Sequence, residues 1–277
     1  MKARRFNVLS PGQSLPPVGQ CIYCGSDDPD LTTEHVIPFG LGGRLKLPKS
    51  SCEKCRVDTH GFETDVLRGM LRDFREASGY PSRHRKDRRT HIQRFRRSSD
   101  GLVADEIPAS EYPRILMLIA LPKPGVLVGR DPTLPVRYRR MVALHPEDKA
   151  AVAGMQVTRK LQNRAFCRMI AKIGHAYAMC CSGGPRGLAG YDLLLSELIR
   201  EGTGSPQHLV GTDEEMHRPV RGLLHELGLQ LETHESGQFL VARVRLFASY
   251  GAPCYMAVVG KKITQRRPHR PAGRPRP

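Results

Sequence analysis

Two pairs of cysteines, Cys21/Cys24 and Cys52/Cys55, bracket a Glu34-His35 dipeptide and a Gly42-Gly43 turn. A thiolate is a soft, anionic ligand, and four of them at tetrahedral geometry close a structural zinc site. Two residues between cysteines let one tight turn aim both sulfurs at the same ion. Twenty-seven residues separate Cys24 from Cys52, so the intervening loop must hold structure of its own. The competing readings are a redox Cys-x-x-Cys pair, which ordinarily occurs singly in a βαβ context, and fortuitous cysteines.

The elements that would position these residues are short. Leu31–Pro38 reads as a strand with Thr33, His35 and Ile37 on one face and Glu34 and Val36 on the other. Gly40, Gly42 and Gly43 permit a turn, and Arg44–Leu47 can return as a second strand. A helix is expected over 62–77, where Phe62, Val66, Met70 and Phe74 recur at steps of four with Leu67 and Leu71 beside them. Arg68, Arg72 and Arg75 form a basic stripe on another side, either a phosphate contact or a solvated face.

This arrangement resembles the HNH endonuclease superfamily, in its version with a four-cysteine zinc knuckle around a ββα-metal, treble-clef-like hairpin. The resemblance rests on CIYCG, LTTEHVIPFGLGG and SCEKC and on the seventeen-residue step from His35 to Cys52. More weakly, the whole chain is similar to bacterial and phage HNH proteins in which a basic segment and an α/β region follow the motif. The resemblance implies that His35 is the general base that takes a proton from water and that Glu34 ligates a catalytic Mg²⁺ or Mn²⁺. A neutral imidazole and a hard carboxylate suit those tasks. The family usually places Asn or His directly after the last knuckle cysteine; here that position is Arg56, which cannot ligate a metal. One helical turn on lies His60, at an offset from which colicin nucleases draw a histidine ligand. The resemblance then assigns the metal to Glu34 and His60 and a phosphate contact to Arg56. The Asn that braces the family's hairpin is not evident before Cys52.

The chain has 277 residues and a net charge of +17, an excess that draws polyanions by displacing counterions from phosphates. DNA is the expected partner, with RNA not distinguished by charge. The segment 80–97 holds eight Arg or Lys and one acid. It reads as a basic linker or arm contacting nucleic acid through Arg83, Arg85, Lys86, Arg88 and Arg89, or as a solvated connector. No apolar run approaches the ~20 residues of a membrane span, and the basic N-terminus lacks an apolar signal core, so a cytoplasmic protein is expected. The fold expected is α+β: an extended leader over 1–20, a zinc-knuckle nuclease domain over 21–78, a basic linker over 79–101, a mixed α/β domain of unknown fold over 102–265, and a disordered basic tail over 266–277.

Within 102–265, Arg114–Pro122 and Val126–Gly129 read as strands, Thr158–Cys180 and Tyr191–Arg200 as helices, and 227–246 as a hairpin turning at Glu235–Gln238, with Cys254–Val259 as a further strand. His175 reads as a packed histidine, and Cys167, Cys180, Cys181 and Cys254 as small hydrophobes of the core. The pattern there carries no catalytic constellation. The functional expectation is a metal-dependent DNA endonuclease. Its rivals are a zinc-stabilised nucleic-acid-binding protein without catalysis and an interaction protein that uses zinc only to fold.

Overall fold

The computed structural model describes residues 15–82, 86, 88–129, 138–143, 155–156, 162–213, 215 and 217–263. The expected tail, Arg83, Arg85 and most of the leader lie outside them. The fold is α+β. An antiparallel hairpin of β1 (Thr32–His35) and β2 (Lys46–Ser51) leads directly into helix α1 (Glu53–Arg68). Gly43 makes the turn possible by its lack of a side chain, since a Cβ there would stand 1.9 Å from the Ile37 carbonyl oxygen. The helix expected over 62–77 begins earlier, just after Cys52, and breaks near Gly69, and α2 (Arg72–Ala77) follows as a separate piece. Apolar periodicity alone does not register the change of direction at a glycine.

The basic segment is not all linker. Its second half is strand β3 (His91–Ser98), which pairs in full with β4 (Gly101–Pro108) across the Ser98–Gly101 turn. Only Ile92 of β3 is buried, which is why alternation is invisible there. Strand β5 (Ile115–Ala120) pairs with β6 (Tyr138–Ala143), and β7 (Met155–Gln156) adds to β3. The strand expected at Val126–Gly129 is instead the helical turn α3 (Gly125–Val128), started by Pro124 and closed by Gly129 at φ 61°.

Helix α4 (Asn163–Ser182) is the axis of the second half. It lies on a five-stranded antiparallel sheet in which β10 (His225–His234), β11 (Gly237–Leu246), β12 (Tyr255–Lys262) and β8 (Tyr191–Leu193) are neighbours and β9 (Val210–Thr212) also pairs with β12. Gly174 permits the close approach: a Cβ there would meet the Ala257 and Ala242 methyls at 2.8 and 3.0 Å. The helix expected from Tyr191 is split into β8 and α5 (Leu195–Arg200), because Leu193 is captured by Gly260 on the sheet edge. A short helix α6 (Pro206–Leu209) precedes β9. The β10–β11 hairpin turns between His234 and Gly237, inside the expected turn.

One apolar core runs through both halves. It joins Val36, Leu47, Phe62 and Val66 to Phe166, Ile170, Ile173, Val244 and Tyr255. The opposite sheet face carries a smaller cluster of Phe239, Val241, Met256, Val258 and Leu127. Among the described residues, no helix is long and apolar enough to cross a membrane.

Candidate functional site

The first cysteine pair rides on a tight turn docked to β2. Cys21 N–H donates to the Ser26 carbonyl, Gly25 N–H returns to Cys21, and Ile22 N–H bonds Ser50. The second pair opens α1, with Cys52 at its cap and Cys55 in its first turn. The four sulfurs all lie within 4.8 Å of one another, with Cys24 and Cys52 Sγ atoms 3.6 Å apart. Tetrahedral zinc at an ordinary Zn–S distance needs sulfurs about 3.8 Å apart, so this donor set fits the ion. Burial pushes the Cys21 and Cys55 thiols up. At Cys24 burial acts the same way but is outweighed by the Ser26 backbone and the neighbouring thiols, so that this thiol lies below its ordinary value. Zinc would hold all four as thiolates.

Glu34 and His35 end β1 on opposite faces. Glu34 is buried and turned toward α1 and α4, where Lys172 Nζ stands 2.5 Å from its Oε1 and 2.8 Å from Glu63 Oε1. The same ammonium donates to the His35 carbonyl. Burial opposes the charge on Lys172, but the two carboxylates outweigh it and hold the ammonium above its usual range. Burial raises Glu34 against the pull of Lys172, and Glu63 adds to the rise. One cation thus faces two acids.

His35 is half-buried, its ring edge-on to Phe39 at 6.1 Å. Beyond Phe39 opens a groove of about 1210 Å³ lined by Arg44, Tyr80, Arg88 and Tyr250 among others. His60 lies on the exposed side of α1 against Thr64, 3.3 Å away, and is not brought to Glu34. Among the described residues, no group of three metal-ligating side chains includes Glu34, His35, His60 or Glu63. A hard divalent cation needs several free oxygens. With Lys172 between the acids, Glu34 and His60 as placed do not fit a shared Mg²⁺ or Mn²⁺.

The basic residues separate into inward and outward groups. Arg56 is exposed in the first turn of α1 and pairs with Glu53 at 2.5 Å. Arg68 is exposed, and Arg72 pairs with Glu76 at 3.1 Å. Arg75 of the expected stripe faces inward, donating to the carbonyls of Gly40 (2.7 Å), Leu67 (2.9 Å) and Pro81 (3.1 Å). Its guanidinium braces the hairpin turn against α1 and α2. Lys86 and Arg88 are exposed and Arg89 half-buried. Arg88 donates to the Tyr80 carbonyl.

Sequence reasoning missed Lys172 and Glu63. Lys172 stands three residues after Met169 in the expected core stripe, and a lysine on that arc was the available signal. His175, on the same helix, donates from Nε2 to the Ile22 carbonyl at 2.6 Å and stacks on Tyr23, as a packed histidine does.

No curated protein and no solved structure matches the chain. Residues 21–65 match the HNH endonuclease family. With a two-stranded hairpin running into a helix and four cysteines closing on one point, that match makes the N-terminal unit of this chain an HNH endonuclease domain.

Proposed function

We propose that this protein is an endonuclease that hydrolyses phosphodiester bonds in DNA, with His35 as the general base. The observation that carries this reading is the position of His35. It stands half-exposed at the end of β1, its backbone held by Lys172 and its ring edge-on to Phe39, a residue that lines a groove together with Arg44 and Arg88. The imidazole takes the proton of the attacking water as its oxygen bonds to phosphorus and the bond to the 3′ oxygen breaks. The four cysteines would hold zinc, which would tie the start of α1 to the Cys21 turn docked on β2. Arg56, Arg68, Arg72, Lys86, Arg88 and Arg89 supply backbone affinity, to which Arg83 and Arg85 also belong in this reading. The family's divalent cation would supply Lewis-acid stabilisation of the phosphate. No step here is assigned to it, because Lys172 holds Glu34.

The test is cleavage of plasmid and single-stranded DNA by the zinc-loaded protein in Mg²⁺, Mn²⁺ or EDTA, beside His35→Ala of equal zinc content and circular dichroism. Cleavage lost in the variant supports the reading. Full activity in the variant sinks it.

A second reading is favoured by one observation, the Lys172 ammonium between Glu34 and Glu63. It makes the protein a zinc-stabilised nucleic-acid binder without catalysis. Salt-sensitive DNA binding with no cleavage in any of these buffers would select it.

A further inference from the structure

We propose a second metal site in the C-terminal half, formed by Asp213, His217 and Cys254, that takes zinc or a similarly thiophilic divalent cation. One ligand atom from each residue lies within 4.8 Å of the other two. The three come from different places: Asp213 directly follows β9, His217 lies in the loop beyond it, and Cys254 immediately precedes β12. The backbone fixes two of them together, since Asp213 N–H donates to the Cys254 carbonyl at 3.1 Å and Thr212 pairs with Tyr255. Asp213 and Cys254 are 9% and 6% exposed, and the His217 side chain 21%. A buried aspartate and thiol and a half-buried imidazole come within reach of one ion.

Their surroundings are those of a supported ligand set. His217 Nε2 stands 2.9 Å from each Asp213 oxygen. Arg243 donates to Asp213 Oδ2 at 2.7 Å and is itself steadied by Glu232 at 3.3 Å, with His234 on the other Glu232 oxygen at 3.1 Å. Ligating carboxylates are commonly oriented by such outer partners. The Cys254 thiol makes a long 3.8 Å contact to the Tyr255 carbonyl and also lies beside the Arg243 guanidinium. A thiolate selects zinc over magnesium or calcium. With Cys254 deprotonated, its proton released to solvent, the group Asp213, Glu232, Cys254 and Arg243 keeps two negative charges, which one divalent ion cancels. Three protein ligands leave the fourth tetrahedral position to water, the arrangement of reactive rather than purely structural zinc.

This site does not depend on the nuclease reading and is tested apart from it. The full chain, equilibrated with zinc and freed of excess by gel filtration, should carry two zinc ions by elemental analysis. His217→Ala and Cys254→Val should each carry one, with the four-cysteine site still loaded. His217 lies on a partly exposed loop, so its variant keeps the test open if Cys254→Val does not fold. A wild-type protein that holds one zinc and takes up no more in calorimetric titration would overturn the proposal. So would His217→Ala retaining two.

Discussion

The ammonium of Lys172 lies 2.5 Å from the carboxylate of Glu34, although the two are 138 positions apart and belong to different halves of the molecule. The pair is buried, and Glu63 shares it. Removing one partner of a buried ion pair costs about 3–5 kcal/mol, because the remaining charge is left in a medium that cannot solvate it. Lys172→Ala should therefore lower the unfolding free energy measured in urea by that order. Neutralising all three positions together, as Lys172→Met with Glu34→Gln and Glu63→Gln, should recover most of the loss. A single variant as stable as wild type would show that water reaches the cluster.

Acid should loosen the junction between the halves through His225. Its Nε2 donates to the Leu41 carbonyl at 2.7 Å, and its Nδ1 accepts from Phe247 N–H at 3.2 Å, so the neutral ring is satisfied on both sides. Burial lowers this imidazole to about 4, against 6.5 for the unperturbed ring. Between those values the unfolded chain binds a proton that the folded one refuses. Stability from this group is intact above the unfolded value and declines as pH falls toward 4, by up to about 3 kcal/mol. Burial lowers His175 as well, which adds loss in the same direction. Denaturant unfolding from pH 7 to 4 should show the decline, and His225→Gln should flatten it.

Chelation should act first on the N-terminal unit. The cysteine cluster joins β2 to α1 and to the turn at Cys21, and a site of this kind supplies folding free energy directly. Prolonged treatment with a strong zinc chelator should release zinc and strip exchange protection from the amides of β1, β2 and α1. Retained protection in zinc-free protein would mean that the apolar core alone holds the hairpin.

Arg75 and Arg68 should behave oppositely although they belong to one sequence stripe. Arg75→Met removes donors to three carbonyls and should cost about 2–3 kcal/mol of stability while leaving the affinity of the folded protein for DNA little changed. Arg68→Ala should leave stability within about 0.5 kcal/mol and, if the exposed face meets phosphate, reduce the salt slope of DNA binding by about one. Paired unfolding and binding measurements separate the two.

The opposite faces of Glu34 and His35 were legible because strand alternation is local, and the two cysteine pairs because each spans a single turn, whereas the return strand expected over Arg44–Leu47 runs over Lys46–Ser51. The limits of α1 and the strand β3 were not legible. The first depends on a break at Gly69, and the second on pairing with β4, which buries almost nothing on β3 itself. Arg75 could not be told from Arg68 by periodicity, since its direction is set by the carbonyls of Gly40 and Pro81, which approach only in the folded chain. Lys172 was visible as a charge on an apolar helix face, but its acids lie in the other half.

On α4, Arg168, Lys172 and His175 make a polar stripe along one side. It reaches the Phe62 ring (4.6 Å), the two carboxylates and the first knuckle in turn. The HNH domain is therefore not a portable cassette. Cut out of its host, it would present a bare apolar flank and two uncompensated acids. Transplanted onto another partner, it would need a helix bearing the same three cations or donors at the same spacing. Loss of Arg168, Lys172 or His175 from α4 would thus be felt in α1, the hairpin and the first knuckle as well as in its own half.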